Sequence, residues 1–333
     1  MQGFDFPPFR SHPLIRGGHM QTILGAYISG ITSPREISVR RHVLLDDGDT
    51  MMLVDDLPGS NWEPGQDAAL LVHGLGGSSE SSYVRRIAEK LRRKGVRTFR
   101  LNLRGCGEGK GLSKQLYHAG RSKDLHVAIQ TIQELCPGST IFLGGFSLGG
   151  NIVLKWLGEF PDEATQMVSR AIAVNPPVCL ATCTASLGKK AFGFYDRYFA
   201  KLLYRQLVQS FDGNLDQEQY PQPSCIIDFD NMITAPRCGF ADAQDYYATC
   251  SAGPYVSEIK VPTMIFTAAD DPLIPVKILT ELKLSESVEL HVANSGGHLG
   301  YYGRSGVDED RWWIDWRILE WFFVKQSQKS VLV

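Results

Sequence analysis

The sequence has few cysteines, almost no net charge and no long apolar run, and each shortage closes off a class of protein. Its 7 cysteines form an odd, scattered set without a C-x-x-C pair. That argues against a disulfide framework and for reduced thiols in a cytoplasmic protein. Lys and Arg number 34 against 36 Asp and Glu, a formal net charge of −2, so no nucleic-acid partner is expected. No uninterrupted apolar stretch reaches the ~20 residues of a membrane-spanning helix. The opening Met1-Gln2-Gly3-Phe4-Asp5-Phe6-Pro7-Pro8 lacks a basic segment followed by an apolar run, so no signal peptide is expected. No His, Cys and carboxylate cluster has metal-ligand spacing, and neither metal nor cofactor is expected. Repeats and low-complexity segments are absent too.

What is present is a chain of 333 residues, enough for a large α/β core. After an irregular arm (1–36), Ile37 to Leu45 and Thr50 to Asp55 flank the acidic turn Asp46-Asp47-Gly48-Asp49 and read as an antiparallel hairpin. Strand and helix signals then alternate. Strands are expected at 68–72, 96–101, 139–144 and 170–174, with helices at 79–94, 120–136 and after Gly149. This rhythm predicts a mostly parallel sheet with helices on both faces. It breaks from about Pro176 to Gly253, where a helix over 192–208 is expected and no strand. It resumes with strands at 263–267 and 288–292 and a closing helix at 311–323. The expected organisation is a core of 1–175 and 254–333 with a helical lid inserted at 176–253.

Gly145-Phe146-Ser147-Leu148-Gly149 lies where a buried strand turns into a helix. A G-x-S-x-G in that position is a nucleophile elbow, the strained turn that presents a serine at the end of the sheet in α/β hydrolases. Side chains at 145 and 149 would collide with the neighbouring strand and helix. A serine hydroxyl needs a histidine base held by a carboxylate, and in this fold they follow in the order Ser, Asp or Glu, His. Asp270-Asp271-Pro272 follows one late strand and Gly296-Gly297-His298 the next, in loops at the carboxyl ends of strands, where open α/β sheets build their sites. His298 is preferred among 8 histidines; His291 lies within a strand and reads as structural. Asp271, four residues before Pro275, is preferred over Asp270, whose other reading is a loop hydrogen bond. Two backbone N–H groups are needed for the developing oxyanion, and Leu148 and Leu75 (in His73-Gly74-Leu75-Gly76-Gly77) stand where they can supply them. His73 reads as orienting that loop.

Arg85, Arg86, Lys90, Arg92, Arg93 and Lys94 lie opposite the stripe Val84, Ile87, Ala88 and Leu91. They read as a solvated face, and peripheral membrane contact is the lesser reading. Trp312, Trp316, Leu319 and Phe323 recur at helical spacing and read as core. Arg104-Gly105-Cys106-Gly107-Glu108-Gly109 lacks the Lys-Ser/Thr of a phosphate loop and reads as a turn beside the site.

The chain resembles the YheT-like hydrolases of the α/β-hydrolase superfamily, similar to the eukaryotic ABHD lipases and esterases, over nearly its whole length. The resemblance is carried by Gly18-His19-Met20-Gln21-Thr22, the 73–77 loop, Arg104-Gly105-Cys106, Tyr117-His118-Ala119-Gly120 and the elbow through Asn151. Phe229-Asp230-Asn231-Met232-Ile233-Thr234-Ala235-Pro236, with Gly239 to Ala243 and Asp245-Tyr246-Tyr247, carries it into the lid. It implies Ser147, Asp271 and His298 as a triad and small carboxylic esters, short-chain or lipid-like, as substrates. The membrane anchor of the eukaryotic relatives has no counterpart here and is not carried over. A thioesterase or amidase using the same residues, and a non-catalytic ligand-binding homologue, are the alternatives. The residues alone assign no role to His19 or His118.

Overall fold

Apolar, β-branched segments form the middle of the sheet in a computed structural model that describes residues 4–28, 38–58, 62–210, 215–216 and 218–324. Helix α1 (Gly18–Tyr27) precedes β1 (Ser38–Leu44) and β2 (Thr50–Asp56). Then come β3 (Ala68–Val72), α2 (Ser82–Arg93), β4 (Arg97–Asn102), α3 (Ser122–Leu135), β5 (Ile141–Phe146), α4 (Leu148–Glu159), α5 (Pro161–Met167) and β6 (Arg170–Val174). Helices follow: α6 (Leu180–Lys189), α7 (Phe194–Ser210), α8 (Ile226–Phe229), a π-helical turn (Asp230–Thr234), α9 (Ala235–Cys238) and α10 (Ala243–Cys250). Strand β7 (Thr263–Ala268), α11 (Lys277–Thr280), β8 (Val288–Ala293) and α12 (Trp313–Phe323) end the described chain.

The eight strands make one sheet in the order β1-β2-β4-β3-β5-β6-β7-β8. Pairing is antiparallel at β1–β2 and β2–β4 and parallel elsewhere. The fold is the expected α/β hydrolase architecture. Every residue of β3, β5, β6 and β7 is buried, as a parallel sheet covered on both faces requires. One face packs on Trp156, Ile129 and Leu154 from α3 and α4. The other packs on Ile87, Trp313, Ile318 and Phe322 from α2 and α12. Strand β1 is one edge of the sheet and carries Arg40 and Arg41, charged side chains of the kind that disfavour pairing with another chain. The expected start of the hairpin at Ile37 lies outside the described residues, as do 1–3 and 29–36 of the arm.

Three expectations change. The arm is not irregular throughout, because 18–27 form α1. That helix binds its surroundings through Gln21, which is buried, donates from Nε2 to the carbonyls of Ile15 and Tyr302, and accepts from the Tyr302 N–H at 2.8 Å. The charges of α2 are not simply a solvated face. Arg86 is buried against Asp315 of α12 at 3.0 Å, and Lys90 meets the same carboxylate at 2.8 Å. Of the four apolar residues expected in the core near α12, Trp312 and Leu319 are buried but Phe323 is 39% exposed. Trp312 stands just before the helix with the Arg86 guanidinium 3.5 Å from its ring centroid.

The 226–250 segment is held by its own polar residues. Asp242 caps α10 by accepting the Asp245 N–H, Asn231 accepts from Ala243, and the buried Asp230 accepts from Thr234 and Tyr247. Asn151 of α4 pins the end of this segment, donating to the Ala119 and Cys250 carbonyls and accepting the Ala252 N–H.

Candidate active site

Ser147 occupies a backbone conformation that its neighbours force on it. Its φ of 50° and ψ of −121° lie outside the regions open to most residues, at a cost of roughly 1–3 kcal/mol. The turn is tied down by the Ser147 N–H to Val174 carbonyl bond at 2.9 Å and by the first bonds of α4. A Cβ on Gly145 would lie 2.5 Å from the Gly149 carbonyl oxygen. One on Gly149 would lie 2.4 Å from those of Val72 and His73. No side chain fits at either place, so the elbow needs both glycines.

The structure brings Ser147, His298 and Asp271 together from the ends of β5, β8 and β7. Ser147 Oγ lies 2.9 Å from His298 Nε2, and His298 Nδ1 lies 2.9 Å from Asp271 Oδ2. An ionised carboxylate can only accept, so Nδ1 carries the proton there and Nε2 is left to accept from the serine hydroxyl. The Asp271 side chain is fully buried but not short of partners. Oδ1 accepts from the Leu273 and Ile274 N–H groups at 2.7 and 3.0 Å, and Oδ2 accepts from Asn175 at 2.6 Å. Asp270 does not reach the imidazole; it accepts the Gly297 N–H at 2.8 Å.

A further set of residues braces this arrangement, and no local pattern in the sequence points to their roles. Asn175, at φ 50° just after β6, donates to Asp271 and accepts the Tyr301 hydroxyl. Thr22 of α1 accepts the backbone N–H of His298 at 2.8 Å and donates to the Gly18 carbonyl. The histidine loop needs such support, because Gly297, Leu299 and Tyr301 all have positive φ. The Gly18-His19-Met20-Gln21-Thr22 motif was visible in the sequence. Its partner lies 276 residues away, too far for any local pattern to reveal.

The loop after β3 is fixed by His73, which is fully buried. Its Nδ1 donates to the Gly74 carbonyl and its Nε2 accepts the Leu103 N–H. Burial pulls its pKa down to about 4, so the ring stays neutral, as this pattern needs. The N–H groups of Gly74, Gly76 and Gly77 bond to Tyr83, Tyr117 and the Gly74 carbonyl. Leu75 lies among them and lines the space around Ser147. Leu148 follows Ser147 as the first residue of α4, where the helix dipole favours an anion.

A cavity of about 440 Å³ lies over Ser147 and His298, walled by Ile23 of α1, Leu75, and Phe194, Tyr195 and Phe199 of α7. A smaller recess of about 90 Å³ shares Ser147, His298 and Leu75 with it and ends on Leu180, Tyr246 and Asp230. His19 Nδ1 lies 3.0 Å from the Tyr195 hydroxyl with the rings stacked, joining α1 to α7. His118 lines a recess together with Leu75 and Leu148. It accepts the Gly120 N–H and packs edge-on to Phe240 and Tyr246. His291 is half-buried and stacks on Phe266 of the core. Arg104 holds the 104–109 turn by pairing with Asp47, Asp49 and Asp124. Burial pushes the Cys106 thiol up to about 12, which leaves it unreactive. Among the described residues no group of three or more His, Cys, Asp and Glu could hold a metal, and no helix is long and apolar enough to cross a membrane.

The family model for the alpha/beta hydrolase fold matches residues 68–304. The chain is 30% identical over 267 residues to the "Putative esterase YheT" of Escherichia coli (strain K12), covering 78% of each chain. It is 26% identical over 275 residues to a monoacylglycerol lipase of Saccharomyces cerevisiae, covering 78% of this chain and 60% of the yeast protein. Among solved structures, the Pyrococcus furiosus esterase Pf2001 superposes with a TM-score of 0.54 at 18% identity. That match covers 82% of this chain and 89% of the esterase, and it is a likeness of fold.

Proposed function

The chain belongs to the alpha/beta hydrolase family and is YheT-like, and on that premise we propose that it cleaves carboxylic esters through an acyl-enzyme on Ser147. The observation that carries the reading is the hydrogen-bonded run from Ser147 Oγ through His298 to Asp271, with both links at 2.9 Å. Ser147 Oγ attacks the ester carbonyl carbon while His298 Nε2 takes its proton. The carbonyl oxygen becomes an oxyanion that accepts from the N–H groups of Leu75 and Leu148. Asp271 holds the imidazole in the accepting tautomer and stabilises the imidazolium. Collapse breaks the bond to the alcohol, which leaves with the proton from His298. Water, deprotonated by the same nitrogen, then releases the acid and frees Ser147.

The insertion at 176–253 acts as a lid in this reading, with 1–175 and 254–333 as the core. Support comes from α7, whose Phe194, Tyr195 and Phe199 wall the cavity over Ser147. The lining is largely apolar, which suits an acyl or alkyl substrate. The test is hydrolysis of p-nitrophenyl acetate, butyrate and octanoate by wild type and by Ser147→Ala. The variant is expected to lose on the order of 10⁴-fold or more in kcat on every ester turned over. Equal turnover by the variant, or none by folded wild type, would rule it out.

A further inference from the structure

Sequence patterning points any membrane contact at the cations of α2, and the internal pairs of Arg86 and Lys90 with Asp315 take two of those six cations out of that surface. A different surface combines exposed apolar side chains with unbalanced positive charge. Ile23, Phe194 and Tyr198 line the cavity over Ser147 and are also exposed, so they form its rim. Met20 lies one turn from Ile23 on α1, and it too is exposed. Phe192, two residues before Phe194, is 95% exposed. The contact of His19 with Tyr195 joins the α1 and α7 halves of this rim.

Two further observations say what covers the rim. Ala191 and Phe192 are both left-handed, with φ of 47° and 51°, a conformation unfavourable for any residue with a Cβ. A phenylalanine is thus held in water by a strained turn, with no packing against the protein to repay it. The charge around it is also one-sided. Residues 180–210 contain Lys189, Lys190, Arg197, Lys201 and Arg205 against the single carboxylate Asp196. Asp196 is buried, accepting the Ile226 N–H at 2.8 Å. Lys189, Arg197, Lys201 and Arg205 are exposed. This cationic segment stands out in a chain whose formal net charge is −2. An aromatic tip flanked by cations is the chemistry of attachment to an anionic lipid interface.

We propose that the rim formed by α1 and the start of α7 docks on an anionic phospholipid surface, with Phe192 among the acyl chains and the flanking cations at the headgroups. The cavity mouth then faces the lipid, and a substrate can enter without crossing water. That last point rests on the esterase reading; the docking itself does not.

The test is co-sedimentation of the full chain with vesicles of phosphatidylcholine alone or mixed equally with phosphatidylglycerol, at low salt and at about 0.5 M salt. Binding to the anionic vesicles is expected to exceed binding to the neutral ones, and to fall at high salt. Phe192→Asp, and separately Lys189→Glu with Arg197→Glu and Lys201→Glu, should each weaken it by about tenfold or more. Phe192→Asp should keep wild-type circular dichroism and wild-type hydrolysis of a water-soluble ester, while Ser147→Ala should bind vesicles like wild type. Absence of anionic-vesicle binding, equal binding to neutral vesicles, or indifference to either set of substitutions would overturn the proposal. Vesicle binding without ester turnover would leave the docking standing and sink the esterase reading; turnover without binding would do the reverse.

Discussion

Thr22 and Asp270 lie near the candidate site without touching a reacting atom, and they set the sharpest tests of positioning. Thr22 holds the His298 backbone N–H at 2.8 Å. Thr22→Val keeps the side-chain shape and removes the acceptor, so we expect kcat to fall by about tenfold with KM little changed. Thr22→Ser should restore it. A fall in KM alone, or no rescue by serine, would contradict the brace. Asp271→Asn should lower kcat by on the order of 10³–10⁴, because the amide cannot hold the imidazole in the accepting tautomer. Asp270→Asn keeps an acceptor for Gly297 and should cost less than about tenfold; a larger loss at 270 than at 271 would reverse the two roles. Ser147, Asp271 and His298 could be picked from sequence because each follows a strand, and the ends of neighbouring parallel strands meet in space. Asn175 and Thr22 could not be picked. Their parts are defined by a side chain 96 residues away and a backbone N–H 276 residues away.

Elements with a strong period were readable, and those whose structure depends on distant partners were not. Strands β3, β5, β6 and β7 are continuous buried runs, and nothing but a covered parallel sheet accommodates several of them in alternation with helices. Helix α1 has little amphipathic signal and opens on Gly18 straight after Gly17; it owes its stability to Gln21 and Thr22 meeting the loop at 296–302. Helix α2 misleads for a different reason. Its cations occupy the face a solvated stripe would take, yet Arg86 and Lys90 converge there on Asp315, whose side chain is fully buried. Removing that carboxylate leaves two cations without their shared partner. Asp315→Ala should lower the unfolding free energy by about 3–5 kcal/mol, measured as a shift of the urea midpoint at pH 7. Arg86→Met on top of Asp315→Leu should recover much of it; no difference between the single and the double substitution would contradict the pairing.

At the scale of the whole molecule, buried ionisable groups give stability a direction with pH. His73 and His118 are pulled down to about 4 and about 3, both chiefly by burial. Between those values and the ordinary 6.5 the unfolded chain binds protons that the folded one refuses, so stability is lost as pH falls. Asp230 works against them. Burial raises it to about 6, so the folded chain binds its proton first and gains stability between about 6 and the ordinary 3.8. Of these three groups the two histidines outweigh the carboxylate, so together they contribute a loss of stability on acidification. His118→Gln should reduce the loss between pH 7 and pH 5 by roughly 2 kcal/mol, and Asp230→Asn should deepen it; urea titrations at the two pH values read both.

The central claim, that an acyl group is carried on Ser147, is tested most directly by labelling the intact protein with a fluorophosphonate and locating the adduct by peptide mass spectrometry. One adduct is expected, on the peptide holding Ser147, absent from Ser147→Ala and strongly slowed in His298→Ala. An adduct on another residue, or labelling undiminished in Ser147→Ala, would contradict it.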